Sequence, residues 1–175
     1  MRWHYTVAAH SDVGTTKNVN QDSLTVKVAN TIYGEAAFAV ICDGMGGLEQ
    51  GEVASAAVVR AYEQWFLRDL PQFLSRGFSE ETLEQVWFRL ANDCNVRVAE
   101  YSREQKAPMG TTLTAVLLLG GRYYITHVGD CRVYVMGNGM EQLTADQTYV
   151  AREVALGHMT PEQAQTDARR NVLLQ

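Results

Sequence analysis

The sequence has few cysteines, no long apolar run and no cluster of positive charge. Each scarcity excludes a class of protein. Cys42, Cys94 and Cys131 are odd in number and far apart in 175 residues. They make no disulfide framework, and a reduced, cytoplasmic setting is the default. There is no CxxC pair and no HExxH pattern, and His4, His10, His127 and His158 have no ligand-like spacing, so zinc has no support. The longest apolar run, Ala36 to Cys42, falls far short of the ~20 residues of a membrane span, and the N-terminus alternates like a strand rather than reading as a targeting peptide. With 15 Lys and Arg against 20 Asp and Glu, net charge is −5 and no basic stripe forms. Binding to nucleic acid or to an anionic membrane is set aside on that ground.

What is present is ordinary for one globular domain spanning 1–175, with 46% hydrophobic and 20% charged residues and no repeat or linker. Trp3 to Ala9 alternates as a half-buried strand does, and so does Leu24 to Val28. Turn chemistry at Asn30 to Gly34 and the apolar stretch Ala36 to Cys42 then predict a hairpin. A helix follows from about Glu52 to Leu70, with Pro71 marking its end. A second begins at Ser79, a natural N-cap with Glu80 and Glu81 in the first turn, and keeps an apolar face through Leu83, Trp87, Cys94 and Tyr101. Short strands return at Thr112–Leu119, Arg122–Val128, Arg132–Met136 and Met140–Leu143, with Gly120-Gly121 and Gly137-Asn138-Gly139 as hairpin turns. Val150 to Leu156 reads as a short helix, and Thr160-Pro161-Glu162 starts another. Segregated strands and helices predict an α+β fold with antiparallel sheets.

Three acidic loops carry the candidate chemistry: Asn20-Gln21-Asp22, Asp43-Gly44-Met45-Gly46-Gly47 and Gly129-Asp130-Cys131-Arg132. Asp43 ends a buried strand, where a carboxylate is costly unless paired or bound to a cation. The glycines after it leave carbonyls able to approach an ion. Such hard oxygen donors suit Mg²⁺ or Mn²⁺. Taken singly, each motif reads more readily as a tight turn or strand-capping residue than as a ligand. A nucleotide loop fails in detail, because there is no GKS or GKT and Glu49 stands where GxGxxG needs its third glycine.

Taken together, the motifs resemble those of the metal-dependent Ser/Thr protein phosphatases of type 2C (PPM), in their bacterial form. The matching residues are Ser11-Asp12-Val13-Gly14 leading to Asn20-Gln21-Asp22-Ser23, then Val40 to Gly47, Gly51-Glu52-Val53-Ala54-Ser55, Met109-Gly110-Thr111-Thr112, Val128 to Tyr134 and Leu143-Thr144-Ala145-Asp146. The resemblance implies two antiparallel β-sheets in a sandwich flanked by helices, and hydrolysis of phosphoserine and phosphothreonine in proteins with two Mn²⁺ or Mg²⁺ ions. It implies that Asp43 bridges the metals, Gly44 offers its carbonyl, Asp22 serves the second metal, and Asp130 holds a third, looser ion. Water between the metals loses its proton more readily and attacks phosphorus. Implied partners are phosphorylated proteins, opposite a Ser/Thr kinase, and the protein is expected to be a monomer.

Three substitutions depart from the family pattern. Lys17 takes the place of the Arg that grips phosphate, keeping the charge but losing the bidentate fork. Cys131 replaces Ser, and Gln147 replaces a frequent His. Val150 to Asp167 resembles the mobile flap of the family, placed at about 150–170. Two further aspartates of the family pattern have no counterpart before Gln175, so the domain is expected to be incomplete at its C-terminus. An impaired chain that binds phosphoproteins without turning them over is the alternative expectation.

Overall fold

The computed structural model describes residues 3–15, 17–46 and 50–174. They fall into two compact units, Met1–Thr126 and His127–Gln175. In the first unit, β1 (Asp22–Thr31) and β2 (Gly34–Gly46) form the predicted hairpin, longer at both ends than the apolar pattern alone marks. Its antiparallel register runs from Asp22 opposite Asp43 to Thr31 opposite Gly34. The turn is closed by Thr31, whose hydroxyl donates to the Gly34 carbonyl at 2.7 Å, and Gly34 holds φ 98°, a conformation suited to glycine.

β2 is the central strand. β4 (Leu113–Leu119) pairs on its other side, β5 (Arg122–Val128) lies beyond β4, and the short β3 (Met109–Thr111) pairs with Gly44–Gly46. Side chains alternate across this sheet. Phe38, Val40 and Cys42 of β2 and Ala115, Leu117 and Leu119 of β4 are buried beneath the helices.

The helical cover is α1 (Gly51–Gln64), a π turn (Trp65–Asp69), α2 (Leu70–Ser75) and α3 (Glu80–Gln105). Aromatic rings make the join. Phe38 stacks on Phe66 with centroids 5.0 Å apart, and Trp65 and Trp87 meet edge to face at 5.3 Å. The buried Tyr62 hydroxyl donates to the Trp87 carbonyl at 3.2 Å, and burial pushes its pKa up. Ser79 caps α3 as expected, its hydroxyl accepting from the Thr82 amide.

Two expectations are corrected. Pro71 does not end the first helix. It sits in the opening turn of α2, where its missing N–H costs nothing, and the π turn just before it re-spaces the backbone so that the chain stays helical to Ser75. Trp3 to Ala9 is not a strand. Alternation allows a strand, but a strand needs a neighbour to pair with, and among the described residues this segment has none. It is tied instead through Glu35, whose carboxylate accepts from the Tyr5 amide and meets His4 at 3.0 Å.

The second unit holds the predicted hairpin of β6 (Tyr134–Met136) and β7 (Met140–Gln142), then α4 (Tyr149–Ala155) and α5 (Pro161–Thr166). Thr148 caps α4, and Thr160 with Gln163 forms a reciprocal capping box on α5. The Arg169 guanidinium lies over the Tyr149 ring and holds the Asp167 carboxyl down at about 2. Among the described residues, no helix is long and apolar enough to cross a membrane.

Phe38→Ala should destabilise the protein by about 3–5 kcal/mol, because it empties the centre of the aromatic cluster. Ser79→Ala should cost only about 1 kcal/mol, the worth of one N-cap. Urea unfolding of the two variants checks the ratio.

Candidate metal centre

Asp22 opens β1 and Asp43 lies near the end of β2, directly opposite it. The hydrogen bonds fix what kind of pair this is. The Gly44 amide donates to the Gln21 carbonyl at 3.1 Å, so the next pair along carries the strand–strand bond. Asp43 turns its own backbone the other way: its amide donates to the Thr112 hydroxyl at 2.8 Å, and its carbonyl accepts from the Thr112 amide at 2.9 Å. The Asp22 amide donates to Asn20 Oδ1 at 3.0 Å. Asp22 and Asp43 therefore form a non-hydrogen-bonded pair, the kind with Cα atoms only about 4.5 Å apart and both side chains on one face. That face is the one away from α1.

Two carboxylates directly opposed repel each other, and a divalent cation converts this cost into binding energy. The donor chemistry fits Mg²⁺ or Mn²⁺: two carboxylates, with the Gly44 carbonyl adjacent and no nitrogen or sulfur ligand in the pair. Among the described residues, no three His, Cys, Asp or Glu side chains gather as a metal cluster, so the fit rests on the pair.

The backbone around the pair is tightly built. A Cβ added to Gly44 would lie 2.2 Å from the Gly51 carbonyl oxygen and 2.4 Å from that of Gln21. Only glycine lets the start of α1 press this closely on β2. Ser55, fully buried, donates to the Gln21 carbonyl at 2.6 Å and meets the Ser23 hydroxyl at 2.9 Å. The Thr111 hydroxyl adds a bond to the Asp43 carbonyl at 3.0 Å. In the sequence, Ser55 stands out only as a residue of the predicted helix and of a matching motif, and Thr111-Thr112 only as part of a motif. Their positioning bonds cross more than thirty residues of chain, and no local pattern reveals them.

Asp22, Asp43 and Gly44 are thus brought together. Lys17 is exposed on the loop before β1 and forms no ion pair among the described residues. Gly47, the last glycine of its motif, lies outside the described residues. Asp130 belongs to the second unit, half-buried in the loop after β5. That loop is clamped by Gln147. Its side chain accepts from the Gly129 amide at 3.0 Å and donates to the His127 carbonyl at 3.2 Å, and its own amide donates to the Gly129 carbonyl at 2.8 Å. The departure at Gln147 is therefore a structural support for Gly129, which takes φ 111°. Arg132 grips Asp146 with two bonds, at 2.8 and 2.6 Å.

The family model described as Protein phosphatase 2C matches residues 10–174. The chain belongs to the protein phosphatase 2C family. It is similar to the serine/threonine protein phosphatase PstP of Mycobacterium tuberculosis, with 34% identity over 168 residues, covering 95% of this chain and 30% of PstP. The serine/threonine phosphatase of S. agalactiae matches in structure with a TM-score of 0.76 at 28% identity, over 94% of this chain and 65% of that one. The catalytic domain of PstP, solved in complex with two manganese ions, matches with a TM-score of 0.70 at 32% identity, over 90% of this chain and 62% of that one. The chain spans less than two thirds of the length of each of these proteins. The α+β fold of antiparallel sheets and helices expected from the 2C phosphatase motifs is the fold these structures share.

Gly44→Ala should cost about 3 kcal/mol or more, since the atoms its methyl would meet are backbone carbonyls that cannot swing aside. Thr112→Val should cost about 1 kcal/mol, by leaving the Asp43 amide without its acceptor. Thermal unfolding of both variants checks the order.

Proposed function

We propose that this chain takes part in the metal-dependent hydrolysis of phosphoserine and phosphothreonine in proteins. The observation that carries the reading is the cross-strand opposition of Asp22 and Asp43 within a 2C phosphatase fold. When bound, Mn²⁺ or Mg²⁺ supplies an acidified water and neutralises charge on the phosphoryl oxygens.

The residues of the chain do the rest. Asp22 and Asp43 hold the cations on the open face of the sheet. Gly44 keeps the backbone close, and Thr111, Thr112 and Ser55 stop the two strand ends from drifting apart. Lys17 meets the phosphate with a single mobile charge in place of a fork, so it attracts the anion without fixing its orientation. Asp130 holds a third, looser ion, and 150–170 serves as the flap of one domain spanning 1–175. Phosphorylated proteins are the substrates, opposite a Ser/Thr kinase, with a monomer working in the cytoplasm. The similar proteins are described as phosphatases, and none supports the impaired, phosphoprotein-binding alternative.

Three measurements test this. Asp43→Asn should abolish Mn²⁺-dependent hydrolysis of p-nitrophenyl phosphate; activity that survives removes Asp43 from the chemistry. Asp22→Asn should stabilise the metal-free chain by about 0.5 kcal/mol through relief of repulsion, and should lose the rise in melting temperature that Mn²⁺ gives the parent chain. An unchanged response to Mn²⁺ would mean the pair holds no cation. Lys17→Arg should lower KM several-fold while leaving kcat within a factor of about two, as restored bidentate binding requires.

A further inference from the structure

A concavity lies between α1 and α3, on the helical side of the sheet. It has a volume of about 290 Å³ and is lined by residues such as Ala54, Ala57 and Val58 of α1 and Cys94, Arg97 and Tyr101 of α3. The floor is dry: Ala54, Val58 and Cys94 are each less than a tenth exposed. The groove is open to solvent along Ala57, Arg97 and Tyr101, and its depth has a cause in the side chains that line it. At one end Tyr62, Trp65 and Trp87 set the helix spacing with large rings. Further along, α1 presents Ala54, Ala57 and Ala61, whose methyl groups cannot bridge that spacing.

The lining is apolar except for the Tyr101 hydroxyl and the Arg97 guanidinium. Arg97 is exposed at the rim and forms no ion pair among the described residues, although Asp93 and Glu100 lie within a turn of it on α3. A hydrophobic slot with one uncommitted cation at its mouth matches a ligand with an apolar body and an anionic head. The volume holds ~10 groups of water size. We propose that this cavity binds a medium-chain carboxylate, with the hydrocarbon over Ala54, Val58 and Cys94 and the carboxylate on Arg97. The site stands apart from the carboxylate pair, which faces the opposite side of the sheet. Its walls nonetheless run into that centre, since Met109 pairs with Gly46 and α1 begins at Gly51 against Gly44. Any effect on hydrolysis rests on the proposed activity; the binding itself does not.

The test is calorimetry of this chain with octanoate. Octanoate should bind at one site, with octan-1-ol at least ten-fold weaker. Ala57→Phe, at an exposed position where folding is not at risk, should fill the slot and cut octanoate affinity at least ten-fold. Arg97→Glu should do the same and should reverse the preference, so that octylammonium binds more tightly than octanoate. Bound octanoate should also slow alkylation of Cys94 relative to Cys131, read by peptide mass spectrometry. The proposal is overturned if octanoate does not bind, if it binds both variants as well as the parent, or if Cys94 and Cys131 are equally protected.

Discussion

The candidate site depends on one register. Asp22 and Asp43 are held opposite each other at a position of the β1–β2 ladder where no backbone bond joins the strands, and the side chains there come closest. A slip of one residue would turn Asp22 onto the face covered by α1, where an unpaired carboxylate is costly. The register is set at the far end of the hairpin, by the Thr31–Gly34 turn, and is reinforced near the site by the bond from Gly44 to Gln21. A tight turn thus determines the chemistry nine residues along the strand.

β2 joins packing to function because its two faces have separate tasks. Phe38, Val40 and Cys42 face the helices and carry the core, while Asp43 faces the other way. Gly44 returns to the helical side and meets Gly51 across a gap with no room for a methyl group. The aromatic cluster and the carboxylate pair are therefore mechanically linked. Rigidity costs little here, since the supporting bonds from Thr111, Thr112 and Ser55 satisfy groups that would otherwise be buried without partners.

Repulsion between the paired carboxylates gives the family assignment its physical sense. A fold that only needed stability would not oppose two acids on adjacent strands. The fit to oxygen-ligated divalent cations and the match to Protein phosphatase 2C over residues 10–174 point the same way from independent grounds. The cavity between α1 and α3 belongs to a different logic, in which small residues leave space that large rings further along prevent from closing.

Much of this was legible in the order of residues. The hairpin and the caps at Ser79 and Thr160 follow from local spacing and composition, because they depend on neighbours in the chain. The candidate ligands Asp22, Asp43 and Gly44 were visible as motifs. Other features were not. The exposed path of Trp3 to Ala9, the passage of the helix beyond Pro71, the clamp of Gln147 on Gly129, and the reach of Ser55 to Gln21 all depend on groups brought together across the fold. Sequence alone determined which residues were available and how each segment prefers to bend. Tertiary structure decided which of them meet, because opposing two like charges is possible only where the rest of the molecule holds both strands in place.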